Sequence, residues 1–323
     1  EPLRLLPIIL QKENYLWSKA DGFNYPRCAR SGGGPSSVEA AIAARQVDFV
    51  LTQPSHYVLM TYRNVLSYPL ATLVEKEGGN ALASFGGVIF TQAGRADIVK
   101  LADVKGKTVA TSSISSLGSY QMQAQELANA GVVMPTDAKI METGQPQDRA
   151  IEAVLAGAAD IGFVRSGVLE AMAREGKLDL SKLRILNPRI VEGFPFLLST
   201  RLFPEWAFTA MPRIDGALAR RVAAALLVLP HGGEVAQAIS IQGFTIPADY
   251  HGIDDLLHEL RLPPFDATPE FSVGDVWSRY RVGLATTAMA GSTNHIINVG
   301  VNSSGSQSNA FTDAGSNTSP AVT

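Results

Sequence analysis

The sequence predicts an α/β protein with largely parallel sheets. Between residues 36 and 260, short apolar runs rich in Val, Ile and Phe alternate with segments of helical periodicity, which is the pattern of that class. One unit of helix, turn, strand and loop also occurs twice, because residues 40–48 (AAIAARQVD) align with residues 152–160 (EAVLAGAAD). The composition, with 46% hydrophobic and 18% charged residues among 323, is typical of a globular chain of about two domains.

The elements follow from local signals along the chain. A capping box at residues 36–39 predicts the start of the first helix, which continues to residue 45. Apolar runs predict strands at residues 47–51, 68–74, 85–90, 160–164, 183–186 and 196–200, and a further strand is predicted to end at the hydroxyl residues that follow residue 110. Helical periodicity predicts a helix after the loop at residues 52–56, and further helices at residues 117–130, 148–156 and 168–174.

Each copy of the repeated unit is followed by a pair of strand-like runs. We interpret these pairs as the two places where the chain passes between lobes. The predicted lobes are therefore interleaved in sequence, with residues 1–84 plus 190–265 in the first lobe and residues 85–189 in the second. Two crossovers of this kind form a hinge.

The two ends of the chain differ from its middle. Residues 21–35 have neither a helical nor a strand period and predict an irregular loop. Residues 283–323 contain one acidic residue, Asp313, and no Lys or Arg. This composition predicts a disordered tail within a C-terminal extension at residues 266–323. The chain begins at Glu1 without a signal-peptide pattern, so we expect any signal peptide to have been removed or left out.

The composition excludes several functional classes. With 27 Lys and Arg against 30 Asp and Glu, the formal net charge is -3, so no basic field is present to attract a nucleic acid. No apolar run reaches the length of a membrane-spanning helix. Cys28 is the only cysteine, which excludes an internal disulfide framework and a multi-cysteine metal site. The sequence predicts no cofactor and no metal.

The strongest local feature is a run of hydroxyl residues between a predicted strand and a predicted helix. A helix N-terminus offers unpaired N–H groups and the positive end of the helix dipole, which can hold an anion. The alternative is that one hydroxyl caps the helix and the others are solvated. The run contains Thr111, Ser112, Ser113, Ser115 and Ser116.

Three other loops that follow strands or precede helices supply polar groups. They contain Thr52, Gln53, His56 and Tyr57; Gln147 and Asp148; and Arg165. In open α/β sheets such loops lie at the carboxyl ends of strands, where ligands bind. Taken singly, His56 is more often a structural histidine and Asp148 is most simply a helix N-cap. Arg165 directly follows an apolar strand and needs a counter-anion, which is either a carboxylate or a ligand.

Catalytic patterns are absent from the sequence. It contains no Gly-x-Ser-x-Gly elbow, no His-Glu-x-x-His motif and no Gly-x-Gly-x-x-Gly motif. Cys28 lies in a glycine-rich segment between Arg27 and Arg30, and a thiol without a chemical role is the better interpretation. A hydrolase or transferase that uses His56 or Cys28 is therefore a distant alternative.

Seven segments carry a family resemblance. They are residues 48–57 (DFVLTQPSHY), 105–110 (KGKTVA), 144–157 (GQPQDRAIEAVLAG), 159–165 (ADIGFVR), 194–196 (FPF), 199–206 (STRLFPEW) and 260–265 (LRLPPF). These segments resemble the periplasmic phosphate/phosphonate-type substrate-binding proteins. The resemblance covers residues 36–265 and is closest to the binding-protein-like sensor domains of bacterial histidine kinases, including tetrathionate-sensor-like kinases.

The resemblance implies a type II periplasmic-binding-protein fold, with two α/β lobes joined by two crossover strands and a ligand in the cleft. It implies that the hydroxyl run holds an anion and that the loops at residues 52–57, 147–148 and 165 complete the site. Phosphonate binders of this kind place an acidic group near the position of Arg165 to meet a ligand amine. The arginine therefore favours a purely anionic ligand here.

The expected function is capture of a small oxyanion, similar to a phosphonate or a sulfur oxyanion, without catalysis. The expected location is the periplasm, as the sensor part of a two-component system with a membrane-embedded kinase as partner. The alternative is the soluble binding component of an ABC importer, whose partner is a permease. No kinase catalytic region is recognisable in the chain.

Overall fold

The computed structural model describes residues 9–11, 14–17, 39, 42–45, 47–238 and 241–266. The described strands, β1 to β14 in chain order, are Ile9–Gln11, Asn14–Trp17, Phe49–Thr52, Pro69–Glu77, Asn80–Leu82, Ser84–Phe85, Gly87–Gln92, Thr108–Thr111, Lys139–Glu142, Ile161–Arg165, Leu183–Leu186, Phe203–Pro204, Ala207–Ala210 and Ile241–Thr245. The described α-helices, α1 to α7, are Pro54–Tyr62, Met122–Asn129, Asp148–Leu155, Val168–Arg174, Gly216–Leu227, Glu234–Ala238 and His251–Glu259. A π-helical turn at Leu117–Gln121 leads directly into α2.

The first sheet has the strand order β1, β2, β3, β13, β4 and β14, with β5 paired to β4. Its pairings are antiparallel throughout. β13 returns late in the chain and lies between β3 and β4, which point in the same direction but do not pair with each other. The prediction of largely parallel sheets is therefore wrong for this sheet, because a returning strand separates the two strands that run in parallel.

The second sheet has the order β11, β7, β10, β8 and β9. β8 pairs in parallel with both β10 and β9, whereas β7 runs antiparallel to β10 and β11. The carboxyl ends of β8, β9 and β10 therefore meet at one edge, as the sequence predicts. The hydroxyl run and the loops before α3 and α4 lie at this edge.

Each sheet is buried on both faces by helices. In β3, Val50 packs with the residues of α1 and α7, whereas Phe49 and Leu51 pack with those of α5 and α6. The second sheet repeats this alternation, since Phe90 belongs to the core that includes α3 and α4, and Ile89 to the core that includes α2. Burial on both sides explains why these strands are continuous apolar runs.

Strands from residues 9–82 and 207–245 form the first sheet, and strands from residues 87–186 form the second. We use first lobe and second lobe for these sheets with their helices. The two connecting segments pair with each other through β6 and β12, where Phe203 lies opposite Phe85. The exact lobe boundaries at residues 84/85 and 189/190 stay a prediction.

The predicted strand at residues 196–200 is wrong. Its backbone follows β7, but hydroxyl groups replace part of the ladder: Ser199 N–H donates to Gly87 O at 2.9 Å, and the Gly87 N–H donates to Thr200 Oγ1 at 2.9 Å. The Ile89 N–H likewise donates to Ser199 Oγ at 2.8 Å. The sequence of this segment predicts a strand because it is apolar. In the structure, however, side-chain hydroxyls accept part of the hydrogen bonds that β7 donates.

Other predictions fall on residues that the structure does not describe. These are the capping residues before Glu39, the loop at residues 21–35 with Cys28, and the C-terminal extension beyond Asp266. Among the helices that are described, no member has the length and apolar character needed to cross a membrane.

A glycine in the central strand β10 provides a test of the second core. A Cβ at Gly162 would overlap the ring of Phe90, whereas a Cβ at Gly94 meets nothing within 4 Å. We expect Gly162→Ala to lower the free energy of unfolding by about 2 kcal/mol or more, since overpacked cores lose about 1–3 kcal/mol. Urea unfolding of this variant and of Gly94→Ala, which should match the wild type, measures the difference. Equal stability of both variants would contradict the described packing.

Candidate functional site

A cleft of about 1410 Å³ lies between the loops of the two lobes. Its walls come from the loop after β3, the end of β4, the hydroxyl run after β8, and the starts of α3 and α4. Most of the predicted binding residues line it, namely Gln53, His56, Ser112, Ser113, Ser115, Ser116, Gln147, Asp148 and Arg165. The structure thus brings together loops that are far apart in sequence.

The hydroxyl run folds into a tight loop at the start of the π-turn. Ser116 is the N-cap, because its Oγ accepts a hydrogen bond from the Ser119 N–H at 3.3 Å. The Ser113 and Ser115 hydroxyls lie 3.0 Å apart and remain accessible from the cleft. One hydroxyl therefore caps the helix, as one interpretation of the sequence expects. Two others are open to the cleft, and their contact with an anion stays a prediction.

Gln53 connects the two lobes across the cleft. Its Nε2 donates to Ser115 O at 3.3 Å, and its Oε1 accepts from the Leu117 N–H at 3.3 Å. The side chain therefore occupies the first free N–H of the helical segment, which is a position that suits an anion. A neutral carboxamide from the first lobe stands there in this structure.

Three predicted site residues have structural roles behind the cleft wall. Thr111 is fully buried and its hydroxyl donates to Ser119 O. Tyr57 packs against Tyr250 with ring centroids 5.1 Å apart, and burial raises the pKa of its hydroxyl. Thr52 is 1% exposed and directs its hydroxyl to His56. These residues support the wall from inside, since Thr52 and Thr111 lie at the buried ends of β3 and β8 and Tyr57 lies on the buried side of α1.

His56 has a partner at each ring nitrogen. Its Nδ1 lies 3.0 Å from Thr52 Oγ1, and its Nε2 lies 3.2 Å from Glu39 Oε1. Thr52, His56 and Glu39 thus stand in the order of a nucleophile, a general base and a carboxylate. Because the Thr52 hydroxyl is enclosed, the arrangement favours the structural interpretation of His56 over a catalytic one.

Arg165 is held by two carboxylates from the first lobe. Its guanidinium makes a close ion pair with Glu205, which is fully buried, and lies 3.7 Å from Glu77 Oε2. It also covers the Phe85 ring at 4.2 Å from the ring centroid. Of the two counter-anions that the sequence left open, the structure supplies carboxylates.

Burial sets the electrostatics of these carboxylates. It raises the pKa of Glu205, against the attraction of Arg165. It also raises the pKa of Glu77, where Arg165 opposes the shift and Glu205 adds to it. An acidic group therefore does lie near Arg165, although it comes from distant parts of the chain. Gly167 leaves space for the Glu77 carboxylate, because a Cβ at position 167 would overlap this carboxylate.

The second-lobe loop before α3 supports the site by a hydrogen bond to the backbone of Arg165. Gln147 Oε1 accepts from the Arg165 N–H at 2.8 Å, so it fixes the backbone of the arginine. Asp148 is the first residue of α3 and is half-buried at the cleft. No group of three or more His, Cys, Asp or Glu in the described ranges is arranged to hold a metal ion.

Sequence reasoning missed Glu77 and Gln121, which line the cleft, and Glu205, which is buried behind it against Arg165. Glu77 and Glu205 look like ordinary polar positions at the end of a strand and in a loop, and only the pairing of the crossovers brings them to Arg165. Gln121 is 7% exposed and lies on the turn that follows the hydroxyl run. The repeated polar residues of the segment QMQAQE, on a buried helix, were the available signal.

A family model matches residues 28–251, and its description is ABC transporter, phosphonate, periplasmic substrate-binding protein. The chain belongs to this family. It is a periplasmic solute-binding domain of the phosphonate-binding type, which confirms the family resemblance seen in the sequence.

The chain is also similar to a curated protein, the tetrathionate sensor histidine kinase TtrS of Salmonella typhimurium. The two are 28% identical over 227 residues, which are 70% of this chain and 37% of the kinase. The chain therefore spans little more than a third of that relative.

Two solved structures confirm the type II periplasmic-binding-protein fold. XAC2383 from Xanthomonas citri bound to ATP has a TM-score of 0.55 at 18% identity, covering 69% of this chain and 81% of the other. PhnD1 from Prochlorococcus marinus in complex with methylphosphonate has a TM-score of 0.50 at 15% identity, covering 70% and 82%. These likenesses concern the fold alone.

The first site prediction concerns the buried ion pair. We expect Glu205→Gln to lower the free energy of unfolding by about 3 kcal/mol, because removing one partner of a buried pair leaves an uncompensated charge that costs about 3–5 kcal/mol. Glu77 compensates part of it. Denaturant unfolding measures the loss, and the control is Glu175→Gln in the exposed pair with Lys177. A loss no larger than in the control would contradict the assigned role.

The second site prediction concerns pH. The folded pKa of Glu77 lies above its ordinary value of 4.5, so the folded chain holds a proton that the unfolded chain has released. In the window from that value up to the raised pKa, the free energy of unfolding falls as the pH rises. We expect a smaller decrease in Glu77→Gln, measured by urea unfolding over a pH series. The same pH dependence in both proteins would refute this.

Proposed function

We propose that this domain captures a small oxyanion between its lobes and reports it through closure of the cleft. The observation that carries the proposal is the hydroxyl run at the start of the helical segment, with Ser113 and Ser115 open to the cleft. Hydroxyl and backbone N–H donors at a helix start are suited to an anion. The matched family and the methylphosphonate complex of PhnD1 support this ligand class.

The charges of the cleft favour recognition by neutral donors. Arg165 is already paired with Glu205 and lies close to Glu77, so its charge is compensated before a ligand arrives. The Glu77 carboxylate would repel a negatively charged ligand group that lies within about one Debye length of it. We therefore assign the anion to Ser113 and Ser115 of the hydroxyl run and to the Leu117 N–H, which Gln53 occupies in this structure. The rest of the wall is formed by Gln53, His56, Gln147, Asp148 and Arg165.

The similarity to TtrS supports one role in the cell. We propose a sensory domain that acts with a membrane-embedded kinase, because TtrS is a sensor histidine kinase. The second candidate is the binding component of an ABC importer, which the description of the matched family supports. A kinase and response regulator encoded beside this gene would favour the sensor, whereas a permease and an ATPase would favour the importer.

The proposal predicts a ligand that stabilises the protein. Thermal shift with phosphate, methylphosphonate, sulfate, methanesulfonate, thiosulfate and tetrathionate should identify at least one anion that raises the melting temperature, since a ligand that binds the native state stabilises it by mass action. For that anion, we expect Ser113→Ala with Ser115→Ala to weaken binding about tenfold or more, because hydrogen bonds to a charged group contribute about 1.5–3 kcal/mol each.

The control is Ser181→Ala, which removes a hydroxyl of the second lobe that contacts Asp179 outside the cleft. Its dissociation constant, measured by isothermal titration calorimetry, should equal that of the wild type. The proposal is refuted if no anion stabilises the protein. The assignment of the hydroxyl run is refuted if the double variant binds like the control.

A further inference from the structure

Gln121 has a hydrogen-bond acceptor without a partner at the cleft. The residue is 7% exposed and lines the cleft next to the hydroxyl run. Its Oε1 is shielded from solvent and lacks a partner among the described residues. A buried polar atom without a partner destabilises a protein, and such exceptions in native proteins need an explanation.

The free atom is the oxygen and not the nitrogen. Gln121 Nε2 donates to Ser115 O at 3.4 Å, so exchanging the two amide atoms would place two acceptors against each other. Ser115 O also accepts from Gln53 Nε2 at 3.3 Å. The two carboxamides therefore meet at one carbonyl oxygen, and Gln121 lies where Gln53 now bridges the lobes.

We propose that Gln121 Oε1 is a specificity-determining acceptor for a proton carried by the ligand. This inference rests on the proposed function, because it assumes an oxyanion at the start of the helical segment. An anion that replaces Gln53 takes the Leu117 N–H as a donor and meets Gln121 Oε1 as an acceptor. Two acceptor oxygens repel each other unless one of them bears a hydrogen.

The chemical class follows from this requirement. A hydrogen phosphate or a phosphonate monoanion has a P–OH group that can donate to Gln121, while its other oxygens accept from Ser113, Ser115 and Leu117. Sulfate, sulfonates and tetrathionate carry no proton at neutral pH, so they leave Gln121 unpaired and place an oxygen against it. The site therefore selects for a protonated oxyanion, since polar groups built to pair with a substrate O–H reject analogues that lack it.

Calorimetry with two pairs of near-isosteric anions tests the inference. The pairs are phosphate with sulfate, and methylphosphonate with methanesulfonate, at mildly acidic pH where the phosphonate carries one proton. We expect the wild type to prefer the protonated member of each pair by about tenfold or more. Gln121→Met keeps the size of the side chain but removes the acceptor, and should reduce the preference to less than about threefold by weakening the protonated member.

Two further variants guard against loss of folding. Gln121→Glu keeps an acceptor oxygen at the same position and should retain the preference, with weaker binding of both anions. Gln125→Met removes an amide of the same helix, which contacts Glu259 at 2.6 Å away from the cleft lining, and should behave as the wild type. The preference is a ratio of dissociation constants, so a fraction of unfolded protein does not change it.

The outcomes separate the two proposals. If the wild type binds sulfate or methanesulfonate as tightly as the protonated member, or if Gln121→Met keeps the full preference, the inference about Gln121 is wrong while oxyanion binding stands. If none of the four anions binds and the wider thermal-shift panel is also negative, both are wrong. If only an anion without a proton binds, the proposed function stands and the inference is overturned.

Discussion

The buried ion pair between Arg165 and Glu205 is the interaction on which the rest of the cleft depends. Arg165 ends β10 in the second lobe, whereas Glu205 lies between β12 and β13, where the chain returns to the first lobe. A guanidinium and a carboxylate cannot be enclosed separately at tolerable cost. The ion pair therefore links the two lobes at this point and restricts the path of the returning segment.

Neutral hydrogen bonds continue this pair into the core of the first lobe. The Glu205 N–H donates to Ala83 O at 2.9 Å, and Tyr250 donates its hydroxyl to Glu205 O at 2.9 Å. Tyr250 in turn lies 3.0 Å from the Thr72 hydroxyl, which accepts from the Ala248 N–H. The charge pair is connected in this way to β4 and to the start of α7. The electrostatics of the cleft therefore depend on the position of the whole crossover segment.

The fold was predictable wherever the signal was local. The repeated unit places Asp48 and Asp160 just before buried strands, and each carboxylate accepts from an arginine, Arg213 at 3.1 Å and Arg95 at 2.7 Å. The predicted strands at both aspartates and the predicted helix before Asp160 are confirmed, because periodicity is a property of neighbouring residues. The insertion of β13 between β3 and β4, by contrast, depends on contacts between residues about 140 positions apart, which no local pattern encodes.

The same distinction holds in the site. The hydroxyl run and the loop at Gln53 were recognisable because short polar loops after apolar strands have a known position in α/β folds. Glu77 and Glu205 were not, since an acidic residue near a strand end is usually solvated and becomes a partner of Arg165 only when the crossovers pair. The sequence could state that Arg165 needs an anion, but the choice between a carboxylate and a ligand required the tertiary structure.

A ligand at the start of the helical segment would have to replace the two hydrogen bonds that Gln53 forms there. In this structure Gln53 forms two neutral hydrogen bonds with the second lobe, each of which contributes about 1 kcal/mol to a folded protein. An oxyanion at the same place accepts charge-assisted hydrogen bonds, which are about twice as strong as neutral ones. A ligand shifts the equilibrium between lobe arrangements only by its differential affinity for them. Under the proposed function, closure would therefore depend on how far the hydrogen bonds of the anion exceed those of Gln53 in free energy. An anion that merely equals the carboxamide would bind without a signal.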